Sequence, residues 1–309
     1  MNVRPLLQYS SFACAIILAF SSFIHGQETF TSKPVNSEIR VQETQPNSGA
    51  ADQRESDAPI QDNSFLVEEA YNQEDGVIQH ISTFEKLTYS HDWAFTQTDE
   101  WPLRTIRHQL SLTLVAAHAG DFVGSGMGWG DTAINYRYQL VGSGETKLAI
   151  APRLSLLVPT GDHRFGRGSG GTGVQTNIPV SIAHSRHFVT HWNAGATYVH
   201  NAMDENEAKA SVTAVNLGQS IVWLAKPRLN FLLETAWMSS EEIIAQGKTE
   251  REQSLYLSPG VRWAYNFSSG LQIVPGIAAP LGVGPSAGEK GVILYLSFEH
   301  PFAFAHSRK

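Results

Sequence analysis

The sequence predicts an all-β protein, an antiparallel transmembrane β-barrel of an outer membrane. From about Thr105 onward, segments of about ten residues alternate apolar and polar side chains, the period-two pattern of a strand with one apolar face. The connections between them alternate strictly in length, as expected when tight turns face the periplasm and longer loops face outward. The short connections are 142–145, 185–186, 226–228 and 266–270, and the long ones are 118–128, 159–173, 201–208, 239–252 and 280–289.

The first 26 residues are predicted to be a signal peptide. Arg4 precedes an apolar run over 12–24, and small or polar residues follow at Gly26 and Gln27. The run is shorter than the roughly 20 apolar residues of a membrane span, which favours cleavage after Gly26 over an uncleaved anchor helix. Cleavage removes Cys14, the only cysteine, so we expect no disulfide in the mature protein.

Residues 27–75 are predicted to form a disordered acidic periplasmic arm. They contain eleven acidic and three basic residues, whereas residues 76–309 contain 18 of each. Such a segment buries too little apolar surface to offset the entropy lost on ordering. The alternative is a segment that folds on contact with a periplasmic partner. The chain has no basic stripe, so we expect no nucleic-acid binding.

The strand count follows from alternation and orientation together. Ten amphipathic segments follow Thr105, and an arm in the periplasm requires an even number of strands before it. Residues 77–98 contain enough alternating apolar residues for two more, so residues 76–309 should form a barrel of about 12 strands, with ten as the alternative. Both the arm and the C-terminus then lie in the periplasm of an outer-membrane protein.

Two features bear on whether such a barrel forms. Four prolines lie within predicted strands, where each removes a ladder hydrogen bond and therefore needs a bulge or a rim position: Pro152, Pro179, Pro259 and Pro275. Residues 289–296 resemble the terminal-strand signal that delivers outer-membrane barrels to their assembly machinery. We therefore expect that machinery and outer-membrane lipid as partners.

Two segments carry a resemblance to a known family. They are Gly-Trp-Gly-Asp-Thr-Ala-Ile-Asn-Tyr-Arg-Tyr at 128–138 and Ala-Pro-Arg-Leu-Ser-Leu-Leu-Val-Pro-Thr-Gly-Asp at 151–162. Both resemble the outer-membrane transporter family named for the meta pathway of phenol degradation (MetA-like), over about residues 105–300. The resemblance implies a porin-like channel that passes small, hydrophobic or aromatic solutes.

Charged side chains mark the predicted inner face of the barrel. A charge facing lipid at mid-depth costs roughly 2 to 4 kcal/mol for Arg or Lys, so alternation places these residues in the lumen. There they form either an ion-pair network that narrows the pore or a polar lining that selects solutes. The predicted lumen-lining residues are Arg137, Arg153, Arg262, Glu234 and Lys147.

The glycine-rich stretch at 168–173 matches G-x-G-x-x-G, but no helix follows it to cradle a phosphate, so we expect no nucleotide cofactor. We interpret it as a loop that folds into the pore mouth, with Asp162, Gly168, Gly170 and Gly173 as the candidate loop gate. His184, His187 and His191 lack the converging ligands of a structural metal site, so no metal is expected.

Two further functions remain open from the sequence. One is a non-conducting structural or partner-binding barrel. The other is an outer-membrane lipid hydrolase, which needs a Ser or Asp beside a His on neighbouring strands. No convincing set of this kind is visible, so the sequence favours a channel for a small-molecule solute over an enzyme.

Overall fold

The computed structural model describes residue 60 and residues 62–88, 92–118 and 126–301, and these form a closed barrel of twelve antiparallel strands. The predicted signal peptide and residues 27–59 of the predicted arm lie outside the described residues. The strand segments are β1 (Val77–Leu87), β2 (Trp93–Leu103), β3 (Thr105–His118), β4 (Met127–Trp129), β5 (Thr132–Tyr138), β6 (Leu148–Ile150), β7 (Arg153–Val158), β8 (Gly173–Ala183), β9 (Phe188–Met203), β10 (Lys209–Lys226), β11 (Leu229–Ala245), β12 (Lys248–Trp263), β13 (Tyr265–Asn266), β14 (Gln272–Ala278), β15 (Leu281–Gly282) and β16 (Gly291–Pro301).

Four wall strands consist of two segments each: β4 with β5, β6 with β7, β12 with β13, and β14 with β15. The barrel closes where β16 pairs antiparallel with β1, from Val77 opposite Pro301 to Leu87 opposite Gly291. The prediction of twelve strands is confirmed, and β1 and β2 are the two strands expected before Thr105.

Alternation places apolar side chains outside and small polar ones inside. On β7, Leu154 and Leu156 are 55% and 44% exposed on the outer face, whereas Ser155 between them is buried. On β3, Gln109, Ser111 and Thr113 are buried inside. The outer apolar band matches what lipid requires, and a closed wall leaves no sheet edge unpaired.

The two ends of the barrel differ in their connections. One end, called here the short-turn end, carries the turns at 104, 139–147, 184–187, 227–228 and 267–271, together with the start of β1 and the end of β16. At the other, the long-loop end, β1 and β3 end and β2 and β4 begin, and this end carries the connections 159–172, 204–208, 246–247 and 283–290.

One predicted long connection, 239–252, is wrong. It is mostly strand, because β11 and β12 stay paired from Ser239 opposite Gln253 to Ile243 opposite Thr249 and turn over only two residues. Beyond the apolar band a strand needs no apolar face, so alternation no longer marks it. Cross-strand pairs stabilise this extension, including a 3.5 Å ion pair between Arg251 and Glu241.

The four prolines are accommodated at gaps in neighbouring ladders. Pro152 lies between β6 and β7, and Pro179 lies opposite that gap, since β8 pairs with β7 up to Asn177 and with β6 from Val180. Pro259 lies opposite the break between β14 and β15, and Pro275 opposite the break between β12 and β13. A missing N–H therefore removes no ladder bond at these gaps.

Two single-turn 3-10 helices interrupt the loops, η1 (His163–Phe165) and η2 (Gly284–Ser286). Among the described residues, no helix is long and apolar enough to cross a membrane.

The lumen is occupied by the chain itself. Residues 62–76 are called here the luminal segment, because their central part lies inside the barrel, where Phe65, Leu66 and Val67 are only 6%, 5% and 1% exposed. These three residues belong to the main buried apolar cluster, together with wall residues such as Val222 and Leu232. Residues 62–73 therefore lie in the barrel and not, as predicted, in a disordered periplasmic arm, because the barrel interior supplies the apolar contacts that the segment cannot make alone.

Candidate functional site: the luminal segment and the side chains that hold it

The luminal segment enters and leaves the barrel at the short-turn end. Ile60 packs with Ala264 and Val274 near that end, and the chain then rises to the middle of the lumen around Leu66. It returns to the same end at Gln73, whose backbone N–H donates to the side chain of Gln109 near the start of β3. The segment thus forms a loop across the interior and continues directly into β1.

Glu234, which is 0% exposed on β11, holds the apex of this loop. Its carboxylate accepts the backbone N–H groups of three consecutive residues: Phe65 at 3.2 Å, Leu66 at 2.9 Å and Val67 at 3.1 Å. A buried carboxylate with several amide donors is a strong charge-assisted arrangement. The same bonds satisfy N–H groups that have no ladder partner in this bend.

Arg262 and Asp62 fix the point of entry. The Arg262 guanidinium donates to the backbone carbonyls of Asp62 and Asn63. The Asp62 carboxylate accepts from Gln79 at 2.8 Å and from the Tyr295 hydroxyl at 2.6 Å. Side chains from three wall strands, β1, β12 and β16, therefore form hydrogen bonds with Asp62 and Asn63 of the luminal segment.

Arg153 and Glu68 form the ion pair on the opposite wall. The shortest guanidinium-to-carboxylate distance is 2.6 Å, and both nitrogens of the fork are used. Asn193 holds the backbone of Glu68 from β9 by accepting its N–H at 2.9 Å and donating to its carbonyl at 2.8 Å.

Arg137 holds the returning part of the loop. Its guanidinium donates to the Asn72 side chain at 2.9 Å and to the Tyr71 carbonyl at 2.6 Å. It also lies 3.4 Å from the carboxylate of Glu100 on β2. Four of the five predicted luminal residues, Arg137, Arg153, Arg262 and Glu234, thus lie inside the barrel and bind the chain's own segment.

Lys147 differs from the other four. It precedes β6 at the short-turn end and its side chain is exposed. Alternation counted back from the buried Ala149 would point Lys147 inward, but Lys147 lies in the turn and not along the lumen.

Glycines in the wall form sockets for the apolar side chains of the luminal segment. A β-carbon at Gly276 would lie 2.5 Å from Cε1 of the Phe65 ring, and a β-carbon at Gly260 would lie 2.4 Å from Cε2 on the other side of that ring. A β-carbon at Gly218 would lie 3.0 Å from Val67. The Phe65 ring also packs edge-on against Tyr295, with 5.5 Å between centroids. Shape complementarity therefore adds to the polar contacts.

A cavity remains between the luminal segment and the wall formed by β1 to β7. The space in it that water-sized molecules can reach is about 100 Å³. Phe65 and Tyr295 are among the residues that line it. Charged side chains of Glu100 and Arg153 also line it, and hydroxyl and amide groups come from Thr83, Thr96, Thr98, Ser111, Thr113 and Asn135.

At the long-loop end, Asp131 anchors the glycine-rich loop. Its buried carboxylate accepts the N–H of Gly161 at 3.0 Å and both the N–H and the hydroxyl of Ser169, at 2.8 and 2.6 Å. Gly168 lies so close that a β-carbon there would lie 2.6 Å from this carboxylate. Asp131 belongs to the motif at 128–138 and Gly161 to the motif at 151–162, so the two segments that carry the family resemblance are hydrogen-bonded to each other.

The other predicted loop-gate residues have distinct places. Asp162 caps η1 by accepting the Arg164 N–H, and the guanidinium of Arg164, bonded to the same carboxylate, holds the pKa of Asp162 below its usual value. Gly170 has a positive φ of 65°, and Gly173 begins β8. These residues shape a folded loop at the barrel mouth, whereas the groups that fill the lumen belong to residues 62–76.

A serine and a histidine do meet inside the barrel. Ser181 Oγ lies 2.7 Å from Nδ1 of His191 on the neighbouring strand, and the two residues are 1% and 2% exposed. The same hydroxyl accepts the Ala70 N–H, and Tyr71 packs edge-on against the imidazole. The pair is therefore part of the clamp on the luminal segment and is closed to a lipid ester. His184 and His187 lie in the exposed turn between β8 and β9.

One feature of the sequence points to the luminal segment. Phe65, Leu66 and Val67 interrupt an otherwise polar acidic stretch, and acidic residues flank them. This apolar triplet between carboxylates, ahead of a barrel with inward arginines, is the signal that could have found the segment.

Comparison with solved structures places this architecture among outer-membrane barrels. An outer-membrane channel from Pseudomonas putida F1 is similar with a TM-score of 0.54 and 12% identity, covering 75% of this chain and 98% of that chain. The NanC porin (TM-score 0.45, 8% identity, 71% and 98% coverage) and the KdgM porin (0.44, 9%, 73% and 99%) are also similar. No protein-family model and no curated protein matches the chain.

At this level of identity the likeness concerns the fold. The chain has the fold of an outer-membrane β-barrel. Membership in the phenol-degradation family stays a prediction, as do the solute class and the orientation of the termini.

Proposed function

We propose that this chain is an outer-membrane channel for passive passage of small solutes and that the luminal segment is its gate. The observation that carries the proposal is how the segment is held. Residues 62–73 pair with no strand among the described residues, and side chains of the wall make their contacts instead. Such a segment can leave without breaking the ladder, whose closure begins only at Val77.

The chemistry of the wall supports a lumen built for water. With the segment displaced, Arg137, Arg153, Arg262 and Glu234 would line the interior among Ser, Thr and Asn side chains. Charged and polar inner faces are typical of water-filled barrels. A wall that always packed against the luminal segment could consist of apolar side chains, and this wall has many hydrophilic ones.

The cavity beside the segment indicates the kind of solute. Its hydroxyl and amide groups can donate and accept hydrogen bonds, and Tyr295, which stays on the wall when the segment leaves, offers an aromatic ring. We therefore propose small solutes that combine an apolar or aromatic face with hydroxyl groups. The family resemblance supports aromatic solutes independently. Passage is diffusion, without covalent chemistry by the protein.

We further propose that the short-turn end faces the periplasm. Short turns on that side are the usual arrangement in such barrels. Residues 27–59 and the C-terminus then lie in the periplasm, where the acidic arm is accessible to a partner.

The test is solute flux through liposomes that contain the protein lacking residues 62–75. We expect the deletion to admit small sugars and phenols at rates well above those of the full chain. Slower migration after boiling on a gel verifies that the variant is a folded barrel. A folded deletion variant that remains impermeable contradicts the channel and supports a non-conducting structural barrel.

A further inference from the structure

Three side chains meet on the outer face of the barrel, at the seam where its first and last strands close. His80 lies on β1, His300 on β16 and Asp99 on β2, all within four residues of their strand ends at the short-turn end. Nε2 of His80 lies 3.3 Å from Nε2 of His300. Nothing in the channel account uses these residues.

The surrounding hydrogen bonds assign the tautomer of each ring. Nδ1 of His80 lies 2.7 Å from the Asp99 carboxylate, which can only accept. That carboxylate oxygen also receives the Gln97 amide at 2.6 Å. Nδ1 of His300 lies 3.2 Å from the Pro301 carbonyl, again an acceptor. Both Nδ1 atoms therefore carry the hydrogen, and Nε2 presents a lone pair in the neutral form of each ring.

Two lone pairs facing each other at 3.3 Å repel unless a cation lies between them. Two zinc–nitrogen bonds of about 2.0 to 2.1 Å at a tetrahedral angle place their nitrogens about 3.3 to 3.4 Å apart. Metal-binding histidines characteristically donate their other N–H to a carboxylate or a backbone carbonyl, as both rings do here. The spacing and the two outer partners match a metal site independently.

The geometry points to a divalent transition-metal site, of the kind that zinc occupies, formed by Nε2 of His80 and Nε2 of His300 at the closing seam. Asp99 and the Pro301 carbonyl orient the two rings. Among the described residues no third His, Cys, Asp or Glu completes a cluster, so water fills the remaining positions. A metal bound to both rings links β1 to β16 and so stabilises closure of the barrel.

The experiment is titration of the refolded full chain with zinc against a chromophoric chelator, with thermal unfolding measured in parallel. The seam variant is His80→Ala/His300→Ala. Because the chain has 12 histidines, the matched control is His184→Ala/His187→Ala, in the exposed turn at the same end of the barrel.

We expect one saturable zinc site per barrel in the wild type and in the control, and its loss in the seam variant. Asp99→Asn should weaken zinc binding by roughly 10 to 100-fold, because it weakens the acceptor for His80 Nδ1. Saturating zinc should raise the unfolding temperature of the wild type and the control but not of the seam variant. Equal zinc binding by the seam variant overturns the proposal. So does absence of a saturable site in the wild type, which would mean that a shared proton joins the two rings.

Discussion

The ring of Phe65 lies directly on the backbone of Gly276, and no side chain fits between them, since a β-carbon at position 276 would lie 2.5 Å from the ring. Gly276→Val should therefore displace the luminal segment from the wall and raise conductance in planar bilayers. Phe65→Ala in the same chain should restore the closed state in part, because it vacates the space that the new side chain needs. Equal conductance of the single and double variants contradicts this account of the socket.

Removing the Glu234 carboxylate should loosen the apex of the loop. Glu234→Ala leaves three backbone N–H groups without their acceptor, and one hydrogen bond to a charged group contributes about 1.5 to 3 kcal/mol. We expect the open fraction in single-channel recordings to rise at least about tenfold. Glu250→Ala, on the exposed hairpin extension, is the control and should leave gating unchanged. An open fraction that is the same in both variants counts against Glu234 as a clamp.

The ion pair between Arg153 and Glu68 should behave as a coupled unit. Arg153→Ala leaves a largely buried carboxylate unpaired, and the loss of one partner of such a pair is more damaging than the loss of both. We expect Arg153→Ala to open the channel more often than Arg153→Ala/Glu68→Ala does. Additive effects of the two single substitutions would show that the charges do not interact.

Loosening the loop at the barrel mouth should expose it to protease. Asp131→Ala removes the acceptor for the Gly161 and Ser169 amides, so trypsin should cleave the folded barrel faster after Arg164 or Arg167. Asp204→Ala, in the neighbouring loop, is the control. Fragments identified by mass spectrometry distinguish the sites. Unchanged cleavage at both arginines contradicts the anchoring role of Asp131.

Much of the barrel could be predicted because a membrane imposes a strict local rule. Leu154 faces lipid and Ser155 faces the lumen, because the two sides of the wall contact different solvents. The sequence therefore alternates apolar and polar residues at neighbouring positions. The rule fails where both faces meet water. Alternation therefore predicts a loop around Glu241 and Arg251, where the structure has paired strands.

The luminal segment could not be predicted by the same means. Its stability depends on contacts between residues distant in the chain, such as Leu66 with Glu234, and no local periodicity records them. The inward direction of Arg137, Arg153, Arg262 and Glu234 was predictable from alternation. Their partner was not, because composition alone assigns an acidic, polar stretch to disorder.

The most direct measurement of the central claim is conductance of a chain whose luminal segment is locked in place by a reversible bond. The hydroxyls of Ser64 and Ser220 lie 2.8 Å apart, so Ser64→Cys/Ser220→Cys brings two sulfurs within bonding reach, and Cys14→Ala removes the only other thiol. We predict that the oxidised protein stays closed and that a reductant restores the openings of the Cys14→Ala parent. Equal conductance before and after reduction, with the disulfide verified by mass spectrometry, would contradict the luminal segment as the gate.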